Sequence, residues 1–287
     1  MAATYQSKAL STKTGDFECK CSYCQYQEGE ICQRKWRMQE HGRKVTCIVS
    51  ECPEIVNILV SPNEDLMTCH RAVLCFYSEF FDAAFYGGLK EATEGVIRLP
   101  EESKIQVAAF LGWVYSGQIH SEESAEELWM LGDRLRSPEF ANEAMYFMMD
   151  MYGASSVEGG RWLSPASLEL AFSGTMDGSK LQLFARDLMK THGPLCPRAV
   201  DEKACFDSSK AYEKDWHEFI NKGGELAVIM ATEVGFFHDY MEFESDAQSE
   251  PAKAAPYEAP NHVKYMLTVT SRALEEFVQG KKRSRAL

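Results

Sequence analysis

The apolar positions change period several times between residues 55 and 152. From Ile55 to Val60, Val56, Ile58 and Val60 alternate with Asn57, Leu59 and Ser61, the spacing of a strand with one fully buried face. Ser61 to Asp65 supplies turn chemistry before Leu66 to Cys69 returns, which predicts a hairpin. The period then becomes helical. Val73, Leu74 and Tyr77 share one face, and Ser78 is placed to N-cap a second helix that buries Phe81, Ala84 and Phe85 and ends at Gly87 and Gly88. Val96 to Leu99 predicts a short strand. After Pro100, Val107, Phe110, Leu111 and Val114 fall at i, i+3, i+4 and i+7, and Gly117 closes that helix. A helix opening at Ser121 gathers Glu122, Glu123, Glu126 and Glu127 into its early turns, where the helix dipole favours carboxylates, and buries Leu128, Leu131 and Leu135. Pro138 starts another that ends near Tyr152.

The Gly- and Ser-rich run from Gly153 to Gly160 breaks this periodicity and marks a boundary. Beyond it the pattern is helical. Ser164-Pro165 opens a helix through Leu168 and Phe172, and Ser179 caps one that turns Leu181, Phe184, Ala185 and Leu188 inward. Further helical segments cover about 202–220 and 224–240, and an amphipathic stretch from Val263 to Val278 precedes a basic tail. Residues 1–16 and 244–261 are polar or Pro- and Ala-rich without periodicity and read as flexible. Residues 33–40, QRKWRMQE, read as a helix beside the domain, either an element of a dimer interface or a solvated leader. The expected division is an N-terminal, Cys-rich, partly flexible extension (1–53), a mixed domain (54–152), a helical region (153–243), and a linker, amphipathic helix and basic tail (244–287).

At 287 residues, 45% hydrophobic and 25% charged, the chain can bury a core without disulfides or a structural metal. Its net charge of -13 argues against a broad phosphate-binding surface, so no nucleic-acid partner is expected. Lys281, Lys282, Arg283 and Arg285 form the one basic cluster, a nuclear-import-like tag or simply a solvated tail. No apolar run follows a basic start and none approaches the length of a membrane span, so an intracellular protein, cytoplasmic or nuclear, is expected, with no membrane partner.

The ten cysteines then belong to a reducing compartment. Cys47, Cys69, Cys75, Cys196 and Cys205 read as small hydrophobes or bystanders. Cys19, Cys21, Cys24 and Cys32 have two readings. Cys21 and Cys24 form one Cys-x-x-Cys knuckle, and Cys32 with Cys19 or His41 completes a zinc tetrahedron; because no second knuckle follows, free thiols are the other reading. Walker-type, dinucleotide-binding, H-E-x-x-H and G-x-S-x-G motifs are all absent, so no catalytic residue and no cofactor other than that zinc is expected.

Three runs in this order carry a resemblance: Val56 to Val60, then Cys69-His70-Arg71-Ala72-Val73-Leu74, then Ser78 to Phe85. With Val96-Ile97-Arg98-Leu99-Pro100 and Phe110 to Gly117, including Tyr115-Ser116-Gly117, they resemble the core signature of BTB/POZ domains, in particular the fungal BTB proteins, over about a third of the chain. The resemblance implies an α+β fold, a small sheet capped by a cluster of helices, followed here by a mostly helical C-terminal region. Its motif positions are Val56, Ile58, Val60, His70, Arg71, Val73, Leu74, Ser78, Phe81, Phe85, Leu111, Tyr115 and Gly117, most of them core. His70 is expected to be a hydrogen-bonding residue at a helix start.

The function implied is a non-enzymatic protein–protein interaction module or scaffold, self-associating as a homodimer. The alternatives are a substrate adaptor of a cullin-type ubiquitin ligase and a zinc-binding regulatory protein using the N-terminal cysteines. Two departures bear on this. The family usually places an Asp at the start of the first strand, where this chain has Ile55 beside Glu54. Cullin-recruiting members show an apolar residue two positions before an acidic one at the entrance to the fourth helix, and Ser124-Ala125-Glu126 is the stretch taken for that entrance. No repeat follows that would form a propeller, so the partner stays unidentified.

Overall fold

The alternation in Ile55–Val60 puts one strand, β1, at the centre of a sheet. A computed structural model describes residues 33–153, 163–192, 206–229, 262–269 and 273–285. β1 pairs antiparallel with β2 (Asp65–His70), Leu59 opposite Leu66, and parallel with β3 (Val96–Leu99), Ile58 opposite Ile97. The sheet order is β2-β1-β3. The hairpin turn places Ser61 and Glu64 at positive φ (66° and 53°). Ser61 stabilises it by donating its hydroxyl to Asp65 Oδ2 and accepting from the Asn63 N–H.

A parallel pair cannot be closed by a hairpin, so the chain crosses over from β2 to β3 through three helices. These are α2 (Arg71–Tyr77), α3 (Glu79–Tyr86) and α4 (Lys90–Glu94). Ser78 N-caps α3 as its position suggests, accepting from the Phe81 N–H at 3.2 Å, while its own hydroxyl donates to Leu135 O at 2.6 Å. The helix α4 is invisible to periodicity because none of its five residues is buried. Of the two glycines expected to end α3, Gly87 has φ -84° and Gly88 takes the left-handed position at φ 77°.

After β3 come α5 (Lys104–Ser116), α6 (Ala125–Arg134) and α7 (Pro138–Gly153). The expected opening of α6 at Ser121 is corrected: Ser124 caps it, accepting from the Glu127 N–H. Ser124 has a glutamate three residues on, the capping-box spacing, whereas Ser121 only closes a turn by accepting from the Glu123 N–H. Glu122 and Glu123 therefore precede the helix.

The core is one cluster. Val56, Ile58, Val60, Val73, Leu74, Phe81, Phe85, Phe110, Trp113 and Phe140 are all buried in it. Each fully buried large side chain contributes about 1.5–3 kcal/mol of transfer free energy. Leu111 is an exception among the expected core residues: it is half-buried at the edge of the cluster, and Trp113 fills the centre.

The same core continues through α8 (Pro165–Ser173), α9 (Lys180–His192) and α10 (Phe206–Lys222), with Leu168, Phe184, Leu188 and Trp216 buried. Tyr152 Oη donates to Glu126 Oε1 at 2.6 Å, joining α7 to α6, with Ser167 of α8 alongside. The amphipathic helix expected over Val263 to Val278 is instead a 3-10 turn (His262–Tyr265), an irregular piece to residue 269, and α11 (Leu274–Arg285). Asn142 of α7 holds this irregular piece by both ends of its amide, donating to Leu267 O at 2.9 Å and accepting from Leu267 N–H at 2.7 Å.

A Cβ at Gly132 would stand 2.8 Å from the Ala141 backbone nitrogen, so α6 and α7 approach as closely as only glycine allows. Gly132→Ala is expected to lower stability by about 1–3 kcal/mol in urea unfolding. Gly112→Ala in α5 meets nothing within 4 Å and is expected to raise it by about 0.5–1 kcal/mol. Equal midpoints for the two variants would remove the close-packing argument.

Candidate interaction surface

The residues of the Cys69-His70 and Tyr-Ser-Gly motifs meet at one atom. Tyr115, at the end of α5, places its hydroxyl oxygen 3.0 Å from the His70 N–H, 3.3 Å from Cys69 Sγ and 2.8 Å from His70 Nδ1. A phenol has one proton and two lone pairs, so with N–H and S–H donated to it, its own O–H goes to Nδ1 and His70 carries its proton on Nε2. This joint fixes the end of the hairpin to the end of α5. It is not a nucleophilic pair: burial pushes the Cys69 thiol up to about 11, and burial together with the Cys69 contact raises the Tyr115 phenol to about 12.

The other two residues of the tripeptide turn the chain. Ser116 accepts from the Gln118 N–H at 3.0 Å. Gly117 closes α5 at φ 72°, and a Cβ there would meet the His41 ring at 3.0 Å. His41 lies on α1 (Gln33–Glu51), the helix expected beside the domain, which the structure packs against α2 and α5. Its ring stacks on Tyr77 at 4.6 Å, meets Trp113 edge-on, and bonds Val114 O through Nε2 at 2.9 Å.

Arg71 is the charged anchor of the crossover. Its guanidinium donates to Glu54 Oε1 at 3.1 Å and to Phe85 O, and lies 4.4 Å from the centre of the Tyr86 ring. Its backbone N–H donates to Glu54 O. Glu54 thus places a paired carboxylate one residue before the strand position where the resemblance leads one to expect an Asp.

The remaining surface feature is the open face of the sheet. Val56, Ile58, Val60, Cys69, Ile97 and Leu99 are buried against the helices. The opposite face carries Ile55 and Leu66, 59% and 62% exposed, with half-buried Leu59 facing Leu66 across the hairpin. Asn57, Thr68 and Arg98 surround them. Exposed apolar residues paired on a strand are suited to contact with another protein surface.

Cys19, Cys21, Cys24 and Cys32 lie outside the described residues, as do Cys196 and Cys205. Cys47 and Cys52 are half-buried, Cys69 and Cys75 are buried, and no group of metal-ligating side chains occurs among the described residues. No helix among them is long and apolar enough to cross a membrane. The tripeptide Ser124-Ala125-Glu126 offers nothing to a partner: Ser124 is a cap, Ala125 is fully buried, and Glu126 is 5% exposed. The basic residues read as a nuclear-import-like tag or a solvated tail lie in α11, where Lys281 is paired with Asp82 and the exposed Lys282 with Glu51.

Burial, partly offset by the Val114 hydrogen bond, holds the His41 pKa below its ordinary 6.5. The folded state therefore favours the neutral ring. Its contribution is complete above pH 6.5 and is lost as pH falls through and below that value. Burial raises the Glu139 carboxyl, which works in the opposite sense above pH 4.5. Urea unfolding of wild type and His41→Phe between pH 7.5 and 5.5, roughly the range in which histidine titrates, is expected to show a shallower loss in the variant; parallel curves would contradict the assignment.

The family model for the BTB/POZ domain matches residues 51–151. Mouse Kelch repeat and BTB domain-containing protein 3 is 28% identical over 102 residues, 34% of this chain and 17% of that protein. Kelch-like protein 25 is 34% identical over 82 residues in Xenopus tropicalis, 28% of this chain and 14% of its own length. The rat protein of that name is 33% identical over 100 residues, 34% of this chain and 17% of its length. This chain therefore spans about a sixth of these curated relatives. The solved BTB domain of human gigaxonin aligns at 13% identity over 42% of this chain and 98% of its own, with a TM-score of 0.31, too loose a superposition to carry weight. The strand order, the helical crossover and the matched residues agree: residues 51–151 of this chain are a BTB/POZ domain.

Proposed function

We propose that this chain is a non-enzymatic protein–protein interaction module, a scaffold whose BTB/POZ domain self-associates through the open face of its sheet. The observation that carries the reading is the match of residues 51–151 to a protein-interaction fold whose sheet leaves Ile55 and Leu66 exposed and Leu59 half-buried. The Glu54–Arg71 pair supports it, because it puts a charged group at the start of β1 where dimeric members are expected to have one. A second copy is the partner that covers this face, and the helices from α8 to α10 are available to hold another protein.

A second reading, the cullin-ligase adaptor, gains one specific support. The fourth helix among the described residues is α4, and its entrance is Leu89-Lys90-Glu91: an apolar residue, 54% exposed, two positions before an acidic one. That is the spacing the resemblance associates with cullin recruitment.

Light scattering after size exclusion tests the first reading. Wild type at about 100 µM is expected at twice the chain mass and Leu66→Asp at the single mass, with Met176→Asp, an exposed residue elsewhere, unchanged. A strict monomer in wild type would sink it. For the second, cullin co-purified with wild type is expected to fall at least about tenfold with Leu89→Asp while self-association is retained. Undiminished capture, or none with wild type, would remove that reading.

A further inference from the structure

Two residues of the basic cluster, Lys281 and Lys282, are paired with the body of the domain. On α11, Phe277 and Lys281 are one turn apart, as are Val278 and Lys282, so two apolar and two cationic side chains lie together on the helix. Phe277 meets Phe76 of α2 edge-on at 5.1 Å, and Val278 is buried. Lys281 Nζ lies 3.6 Å from the centre of the Tyr86 ring and is paired with Asp82, both on α3; its side chain is 14% exposed. Lys282 is paired with Glu51 at the end of α1. Three elements of the chain thus contribute an aromatic floor, Phe76 and Tyr86, and acidic sides, Asp82 and Glu51, to one receiving surface. A lysine over a ring, with a carboxylate beside it and little water, is held more firmly than a surface ion pair.

We propose that the surface where α1, α2 and α3 meet is a docking site for a basic amphipathic helix, that α11 of this chain is its resident occupant, and that docking there hides Lys281 and engages Lys282 in an exposed ion pair. The occupant is set by chemistry and by reach. An apolar pair followed one turn later by two lysines matches an aromatic floor with flanking carboxylates, the helix-in-groove mode of recognition. Only residues 270–273 separate α11 from the irregular piece that Asn142 clasps on α7. So short a tether keeps the helix at an effective concentration on the order of millimolar. A second protein enters this site only by presenting the same pattern and displacing α11. The surface is separate from the open sheet face, so the inference does not depend on self-association.

The test uses full-length chains and a fluorescent peptide of residues 273–285. The peptide is expected to bind a latch-released chain, Phe277→Ala with Lys281→Ala, at least about tenfold more tightly than wild type, in which the resident helix competes. Adding Asp82→Lys to the released chain is expected to abolish that binding, and a peptide with Lys281→Asp to restore it. Trypsin is expected to cut after Lys281 and Lys282 at least about tenfold faster in Phe277→Ala, which keeps both lysines, than in wild type. Should the double variant fail to fold, Lys281→Glu alone provides the released chain. Equal peptide affinity for wild type and released chain, no binding to the released chain at about 100 µM, or equal cleavage rates would each overturn the proposal.

Discussion

The parallel pairing of β1 with β3 is the constraint from which the rest of the domain follows. Antiparallel β1 and β2 need only the turn at Ser61 to Glu64, but β3 can reach the far side of β1 only after a crossover. That crossover is α2 to α4, and it covers one face of the sheet while leaving the other open. The buried face and the exposed one are thus two results of the same connection. Ile58 sits at the centre of the arrangement, fully buried and paired to both neighbours, Met67 and Ile97. The surface proposed for contact with a second copy is the side of β1 that the crossover does not reach.

Polar side chains do the joining where apolar packing alone would leave elements free to slide. Tyr115 ties β2 to α5, Ser78 ties α3 to the end of α6, and Arg71 ties the start of α2 to the segment before β1 and to the end of α3. Each of these groups satisfies several partners at once, which makes its geometry demanding. It also explains why such unlike residues stand together in one recognisable signature. Their roles are mechanical, and the raised thiol of Cys69 agrees with that.

Much of this was legible along the chain because the period of the apolar positions changes where the elements change. The three strands, the cap at Ser78 and the left-handed close at Gly117 follow from local chemistry. What local chemistry does not encode is which serine begins α6, since Ser121 and Ser124 both precede acidic residues and only the glutamate three positions on distinguishes them. Helix α4 buries nothing and so has no periodic signal. The docking of α11 was illegible for another reason: Lys281 and Lys282 find Asp82 and Glu51 about two hundred residues away, and no pattern within the tail announces them. The contact surfaces were legible only as far as the family resemblance reached, because exposure is a property of the packed chain.

The buried link between Tyr152 and Glu126 bears on where this domain stops as a folding unit. The matched region ends at residue 151, one position before the hydroxyl that donates to a carboxylate only 5% exposed. A fragment cut at that match would discard both the hydroxyl that satisfies this acid and α8, which packs against α6 beside it, and losing the partner of a buried polar group costs about 1–3 kcal/mol. The evolutionary module and the thermodynamic one therefore have different borders here, and α8, with Ser167 beside the same hydroxyl, lies on the inside of the second.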